Sequence, residues 1–291
     1  MISASMVKEL RETSGAGMMD CKKALEECSG DMKKAALWLR ENGIAKSEKK
    51  ATRIAAEGLA NIYIDGNKAV LIEINSETDF VSKNEEFINL IDCFGNTILE
   101  SDVKSLEDAL ELKCSKCNET LNELIVGKTA KIGEKLSFRR FELITKNDDE
   151  VFGSYLHMGG KIAVLTILKG ANEDVAKDVS MQAAAMKPEY IKQSEIPEEK
   201  IEELRESLKR ESMNEGKPAD IAEKMVEGRL KKYFKEVCLS LQPFIKQDDI
   251  DVETYVTNNG GSIVSVIRYE VGEGMEKRTD NFAEEVMNQI K

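Results

Sequence analysis

Few residues of this chain have the type and spacing for covalent chemistry. Its one histidine, His157, follows a strand-like run and precedes Gly159-Gly160, with no nucleophile or second base at recognisable spacing. By residue type it is a packed or solvated loop residue rather than a general base. Cys114 and Cys117 form a Cys-x-x-Cys pair, a spacing that serves zinc binding or disulfide exchange. A structural zinc takes four ligands, however, and the one other nearby thiol is Cys93. The six cysteines, at 21, 28, 93, 114, 117 and 238, are scattered rather than packed into a framework, which points to reduced thiols. No Gly-rich phosphate loop is present. These residues argue against an enzyme and predict no cofactor and no bound metal. The chemistry left to the chain is recognition.

The residues suited to recognition sit where one element gives way to another. Ser76-Glu77-Thr78-Asp79-Phe80-Val81 falls between a strand pattern and a helical one. By residue type alone, Phe80 would be buried at that junction and Asp79 would cap a turn. Met18 and Met19 open a helical stripe near the N-terminus, one expected to pack and the other to be exposed. Arg11 and Lys22, close by, are ordinary solvated charges on the same reasoning.

The elements that must position these residues follow from periodicity. Met6, Val7 and Leu10, then Cys21, Ala24, Leu25 and Cys28, then Ala35, Ala36 and Leu39 mark three short helices within residues 3 to 43. Asp31 is placed to cap the third helix and Gly43 to end it, with Lys46 to Lys50 as a linker. From Leu59 the period becomes two, with Ala60, Ile62 and Ile64 on one face. Asp65-Gly66 reads as the hairpin turn and Ala69 to Ile74 as the returning strand. A helix from Asn84 then carries Phe87, Leu90, Ile91 and Phe94 at helical spacing.

A similar order recurs as a weak internal repeat. It comprises Val151 to Leu156, a turn region at 157 to 160, Ile162 to Leu168, and a helix from about Asp174 to Met186, with Ile263 to Tyr269 completing the second sheet. Ile201, Leu204 and Leu208 lie on one charged helix and Val226, Leu230 and Tyr233 on another, broken at 214 to 218. Such a pair predicts an antiparallel arm. Phe282, Val286 and Ile290 predict a last amphipathic helix.

The predicted fold class is α+β multidomain. A three-helix N-terminal domain with its linker spans 1–50 and a core N-subdomain 56–140. A related core C-subdomain takes 141–186 and 237–275, a helical-hairpin insertion 196–236, and a C-terminal helical module 276–291.

Composition narrows the partners. The chain has 291 residues, 41% hydrophobic and 33% charged, which favours folded, well-solvated domains. With 42 basic and 54 acidic residues, the net charge of -12 opposes a large nucleic-acid footprint. The first ten residues include Lys8 and Glu9, and no later stretch approaches the roughly 18 uninterrupted apolar residues of a membrane span. A protein partner, no nucleic acid, no membrane and a cytoplasmic location are the expectations.

Thr78-Asp79-Phe80-Val81 resembles the signature of the translation elongation factor Ts family. Arg11, Thr13 and Gly15-Ala16-Gly17-Met18-Met19-Asp20-Cys21-Lys22-Lys23-Ala24-Leu25 are similar to that family's N-terminal signature, and Tyr155-Leu156-His157-Met158-Gly159-Gly160-Lys161 to its second-subdomain loop. Lys187-Pro188-Glu189, Gly216-Lys217-Pro218, Gln242-Pro243-Phe244 and Glu270-Val271-Gly272-Glu273-Gly274 follow in family order. Lys161 departs from the arginine common at its position.

The resemblance implies a guanine-nucleotide exchange factor for elongation factor Tu, with a ubiquitin-associated-like N-terminal bundle. It further implies that Asp79 and Phe80 intrude near the GTPase's magnesium and phosphate site and that His157 contacts a second domain of the GTPase. Arg11, Met18, Met19 and Lys22 would then frame a contact made by the bundle. The helical hairpin leaves open a homodimer or a 2:2 complex. The rival expectation is a noncatalytic adaptor whose bundle recognises ubiquitin-like or other helical partners.

Overall fold

The computed structural model describes residues 2–214 and 218–276 of the chain. The fold is α+β, with small sheets built on antiparallel hairpins, and it divides into two compact units.

The first unit runs through Ile144 and also takes in Gly159–Lys161 and the chain from Tyr269. It opens with α1 (Ala4–Ser14), α2 (Met18–Glu27) and α3 (Met32–Glu48). These close around Leu10, Cys21, Ala24, Leu25 and Ala35, flanked by Trp38 and Leu39. The caps are local. Ser3 Oγ accepts from the Met6 amide, Gly15 ends α1 at φ 67°, and Asp31 accepts from the Lys33 and Lys34 amides.

One expected boundary is corrected here. α3 does not stop at Gly43 but continues to Glu48, absorbing most of the expected linker. Gly43 is buried, and a Cβ there would sit 3.5 Å from Ala130 of a later helix. Close packing at a residue without a side chain outweighs the helix-breaking tendency of glycine, worth only about 1 kcal/mol.

β1 (Glu57–Asp65) and β2 (Lys68–Ser76) pair antiparallel with Asp65 opposite Lys68. The turn is therefore Gly66-Asn67, one residue later than expected, with Gly66 at φ 54°. α4 (Asp79–Ser82) and α5 (Glu85–Leu99) follow, α5 capped by Asn84. The stretch from 105 to 145, where periodicity predicts nothing, forms α6 (Leu106–Glu111), α7 (Leu121–Ile132) and β3 (Ser137–Thr145). A reciprocal capping box between Thr120 and Glu123 starts α7. β2 is the central strand of the order β1-β2-β3, which explains its near-continuous apolar run. Val70, Ile72 and Ile74 pack with Phe87, Ile91, Phe94, Ile98, Leu121 and Phe138.

The cysteine expectation is also corrected. Cys93 of α5 and Cys114, ahead of α7, form a disulfide with Cα atoms 6.5 Å apart, while Cys117 is free and exposed. The packing of α5 beside α7 brings together thiols 21 residues apart, a proximity that spacing along the chain does not carry.

The second unit comprises Thr145–Met158 and Ile162–Arg268. β4 (Glu150–His157) and β5 (Ile162–Lys169) form a hairpin, and α8 (Glu173–Met186) covers it with Val175, Ala176, Val179 and Ala183. α9 (Glu198–Asn214) and α10 (Ala219–Val237) pack along a narrow seam of Ile201, Leu204, Leu208, Val226, Leu230 and Phe234. After them come β6 (Pro243–Phe244), β7 (Gln247–Asp251), α11 (Val252–Asn258) and β8 (Ser262–Glu270), which completes the order β4-β5-β8. The break expected at 214–218 lies partly, and the helix expected at 280–290 wholly, outside the described residues.

Candidate functional site

The link from β2 to α5 is only eight residues long, and its side chains divide sharply between inside and outside. Ser76 Oγ donates to the Thr78 carbonyl at 2.9 Å, turning the chain out of β2. Asp79–Ser82 then make the single turn α4, closed by Ser82 Oγ donating to the Asp79 carbonyl at 2.7 Å. Val81 and Ser82 are buried, and Val81 belongs to the core beneath. Phe80 is 80% exposed. Successive helical residues differ by about 100° in direction, so anchoring Val81 inward drives Phe80 outward.

Asp79 is half-exposed beside it, with Lys83 Nζ 3.3 Å from its carboxylate. Thr78, the residue before α4, makes no side-chain cap to that turn. Its amide and hydroxyl instead both donate to the Glu134 carboxylate, at 2.9 and 2.7 Å. Beside it, the Glu77 carboxylate accepts from the Lys135 amide at 2.6 Å and pairs with Arg53 at 3.2 Å. The turn is therefore held by the loop that follows α7. Sequence reasoning missed Glu134, Lys135 and Arg53. The only local sign was Gly133, the left-handed residue that ends α7, and it does not say what the next residues touch.

The supporting helices are tied by charge. Glu86, in the first turn of α5, pairs with Lys128 and Lys131 of α7 at 3.1 and 2.5 Å. Burial pushes its carboxyl up, but the two lysines outweigh that and hold it below the usual range. Lys50, at the exit of α3, is lowered by burial and by the neighbouring Arg53 charge.

The other predicted residues fall on separate elements. Arg11 lies exposed on α1, and Met18, Met19 and Lys22 on α2, with Lys22 3.8 Å from Glu26. Both methionines are exposed, at 56% and 74%, which corrects the expectation that one packs inward. Leu37 and Ile44 of α3 are exposed as well. His157 belongs to the second unit, at the end of β4, with Nδ1 3.3 Å from the Tyr155 hydroxyl. Its neighbours Leu156 and Met158 are exposed apolar residues, and Met158 has φ 49°. Among the described residues no group of three or more His, Cys, Asp or Glu side chains could hold a metal ion, and no helix is long and apolar enough to cross a membrane.

Residues 77–273 match the family described as Elongation factor TS. The chain belongs to the elongation factor Ts family. Membership makes it a translation factor of protein biosynthesis with a nucleotide-exchange role. The matched span begins one residue before Thr78-Asp79-Phe80-Val81, just past the β1–β2 hairpin, and covers α5, the second hairpin with α8, and the α9–α10 arm. The N-terminal bundle, with Arg11, Met18, Met19 and Lys22, lies outside it.

Proposed function

We propose that this protein binds elongation factor Tu in its GDP state and promotes GDP release by disturbing the magnesium and phosphate site, so that GTP can rebind. The observation that carries the reading is Phe80, 80% exposed on a one-turn helix while its neighbour Val81 is locked into the core. A large ring with two rotatable bonds is an efficient apolar wedge. The Asp79 carboxylate beside it is suited to compete for, or repel, groups arranged around a phosphate-bound cation. Thr78 and Val81 hold the wedge, while His157, Arg11, Met18, Met19 and Lys22 make further contacts with the GTPase. The protein does no covalent chemistry in this reading, acts in the cytoplasm, and takes no nucleic acid.

In the same reading, residues 1–50 form a ubiquitin-associated-like docking domain, 56–140 and 141–186 with 237–275 the two core subdomains, and 196–236 an arm available for self-association. Residues 276–291 dock on the GTPase. Reciprocity of binding requires that whatever factor the protein subtracts from nucleotide affinity, nucleotide subtracts from its own affinity for the GTPase. Exchange is therefore accelerated without a built-in direction, which the GTP supply provides.

Release of a fluorescent GDP analogue from elongation factor Tu, chased with unlabelled nucleotide, tests this. Wild type is expected to accelerate release, and Phe80→Ala to lose about tenfold or more, roughly 1.4 kcal/mol of coupling. Because Phe80 is exposed, its melting should move by less than about 0.5 kcal/mol. A folded wild type that leaves release unchanged sinks the proposal.

A further inference from the structure

We propose that Glu134 is a positioning residue for exchange: its carboxylate clamps Thr78 and thereby holds the one-turn helix that presents Phe80. The inference rests on the exchange reading above. A threonine ahead of a helix ordinarily turns its hydroxyl back to accept from a first-turn amide. Thr78 makes no such bond. Its hydroxyl donates to Glu134 Oε1 at 2.7 Å and its amide to Oε2 at 2.9 Å. Two charge-assisted bonds on one carboxylate fix the rotation as well as the place of the residue that starts α4.

The adjacent pair of residues makes the converse connection. The Lys135 amide donates to Glu77, and Lys135 Nζ donates to the Ala51 and Arg53 carbonyls at 2.7 and 2.9 Å. Arg53 closes the ring by pairing with Glu77. Glu77-Thr78 and Glu134-Lys135 thus exchange side-chain and backbone contacts across two segments far apart in sequence.

The need for a clamp follows from the size of α4. One turn has too few internal hydrogen bonds to hold its own shape. Phe80, being exposed, contributes no packing to it. Val81 and Ser82 anchor the turn from below, and Glu134 holds it at its start. A wedge left to order itself on the GTPase would spend part of its binding free energy on that ordering and act more slowly at saturation.

The test compares GDP release at saturating factor for wild type, Glu134→Ala, Glu134→Gln, Phe80→Ala and the Glu134→Ala/Phe80→Ala double variant, together with amide exchange of the 76–83 peptide. Glu134→Ala is expected to stay folded, to release GDP about tenfold slower, and to exchange its 76–83 amides faster. Gln keeps an acceptor for the Thr78 amide, and its own amide can donate to the hydroxyl, so it should restore most of the rate. In the Phe80→Ala background, loss of Glu134 should add nothing, because both act through the same ring. A wild-type rate for Glu134→Ala, a loss that multiplies with Phe80→Ala, or a Gln variant no better than Ala overturns the clamp. If Glu134→Ala does not fold, Thr78→Val replaces it, since it removes the hydroxyl donor and keeps the shape. A severalfold loss there supports the clamp, and an unchanged rate overturns it. Failure of wild type to accelerate release, or of Phe80→Ala to slow it, defeats the exchange reading and the clamp with it. Expected behaviour of those two proteins beside a fast Glu134→Ala defeats the clamp alone.

Discussion

In the first unit it is the helix that yields where helix meets sheet: Gly95 of α5 lies against the Tyr63 ring of β1, where a Cβ would come within 2.0 Å. In the second unit it is the strand that yields. Gly153 of β4 lies under α8, and a Cβ there would meet the Ala176 carbonyl carbon at 2.1 Å. Both units run hairpin, then helix, then a third strand from further along the chain, and both press the helix close to the sheet at a glycine. The element that gives way is opposite in the two. Both hairpins carry exposed apolar residues near their turns, Ile64 in the first and Leu156 and Met158 in the second, but Phe80 on the strand-to-helix link of the first has no counterpart on the β5–α8 link. A shared order of elements therefore fixes neither the packing nor where exposed apolar surface emerges. Contacts between segments distant in the chain decide both.

The polar interiors differ too, and that gives the largest test. Glu73 on the central strand of the first sheet is fully buried and accepts from Arg139 at 2.9 Å, Arg140 at 2.6 Å and the Gly272 amide at 2.9 Å. The second unit has neutral Ser180 at its helix–sheet contact, bonded to Thr166 Oγ1 and in reach of the Gly153 carbonyl. Glu73→Ala leaves two arginines without their buried partner and should cost about 3 kcal/mol or more in urea denaturation. Ser180→Ala should cost closer to 1 kcal/mol. Equal losses would erase the distinction.

The glycines sharpen it further. Gly153→Ala should destabilise by about 3 kcal/mol, because the atoms it meets are backbone and cannot swing away. Gly95→Ala should cost about 1–2 kcal/mol. Its cost should fall when combined with Tyr63→Ala, since the obstacle there is a side chain. A double variant whose losses simply add would show that Tyr63 is not the obstacle.

The smallest effect concerns the charges joining α5 to α7. A carboxylate held below its usual range stabilises the fold above its unfolded pKa, roughly 4.3, and loses that contribution as pH falls through the lower folded value. Glu86→Gln should therefore cost about 0.5 kcal/mol at neutral pH, with the gap closing in denaturation curves taken below roughly pH 4. A gap that persists in acid would mean that the charge is not what Glu86 contributes.

Much of the scaffold was legible because its signals are local. Asp31, Asn84 and the alternation from Leu59 announce helix starts and a strand within a few residues of themselves, and each lies where those patterns put it. Thr78-Asp79-Phe80-Val81 was legible as a motif, although residue type alone would have buried the phenylalanine. What failed was non-local. Gly43 looks like a helix stop until Ala130 is seen against it, and Cys114 looks paired with Cys117 until α5 brings Cys93 alongside. Glu134 carries no mark at all among many exposed acids, because its meaning lies in a partner 56 residues away.

The sequence by itself determined the class of fold, the family, and the segment proposed to do the recognising, since periodicity, caps and short motifs are written in neighbouring residues. Only the tertiary structure decided that Phe80 points outward, which glycine makes room in each unit, and which acid holds the turn. Those depend on packing between segments distant in the chain, where one side chain's role is set by the surface it meets.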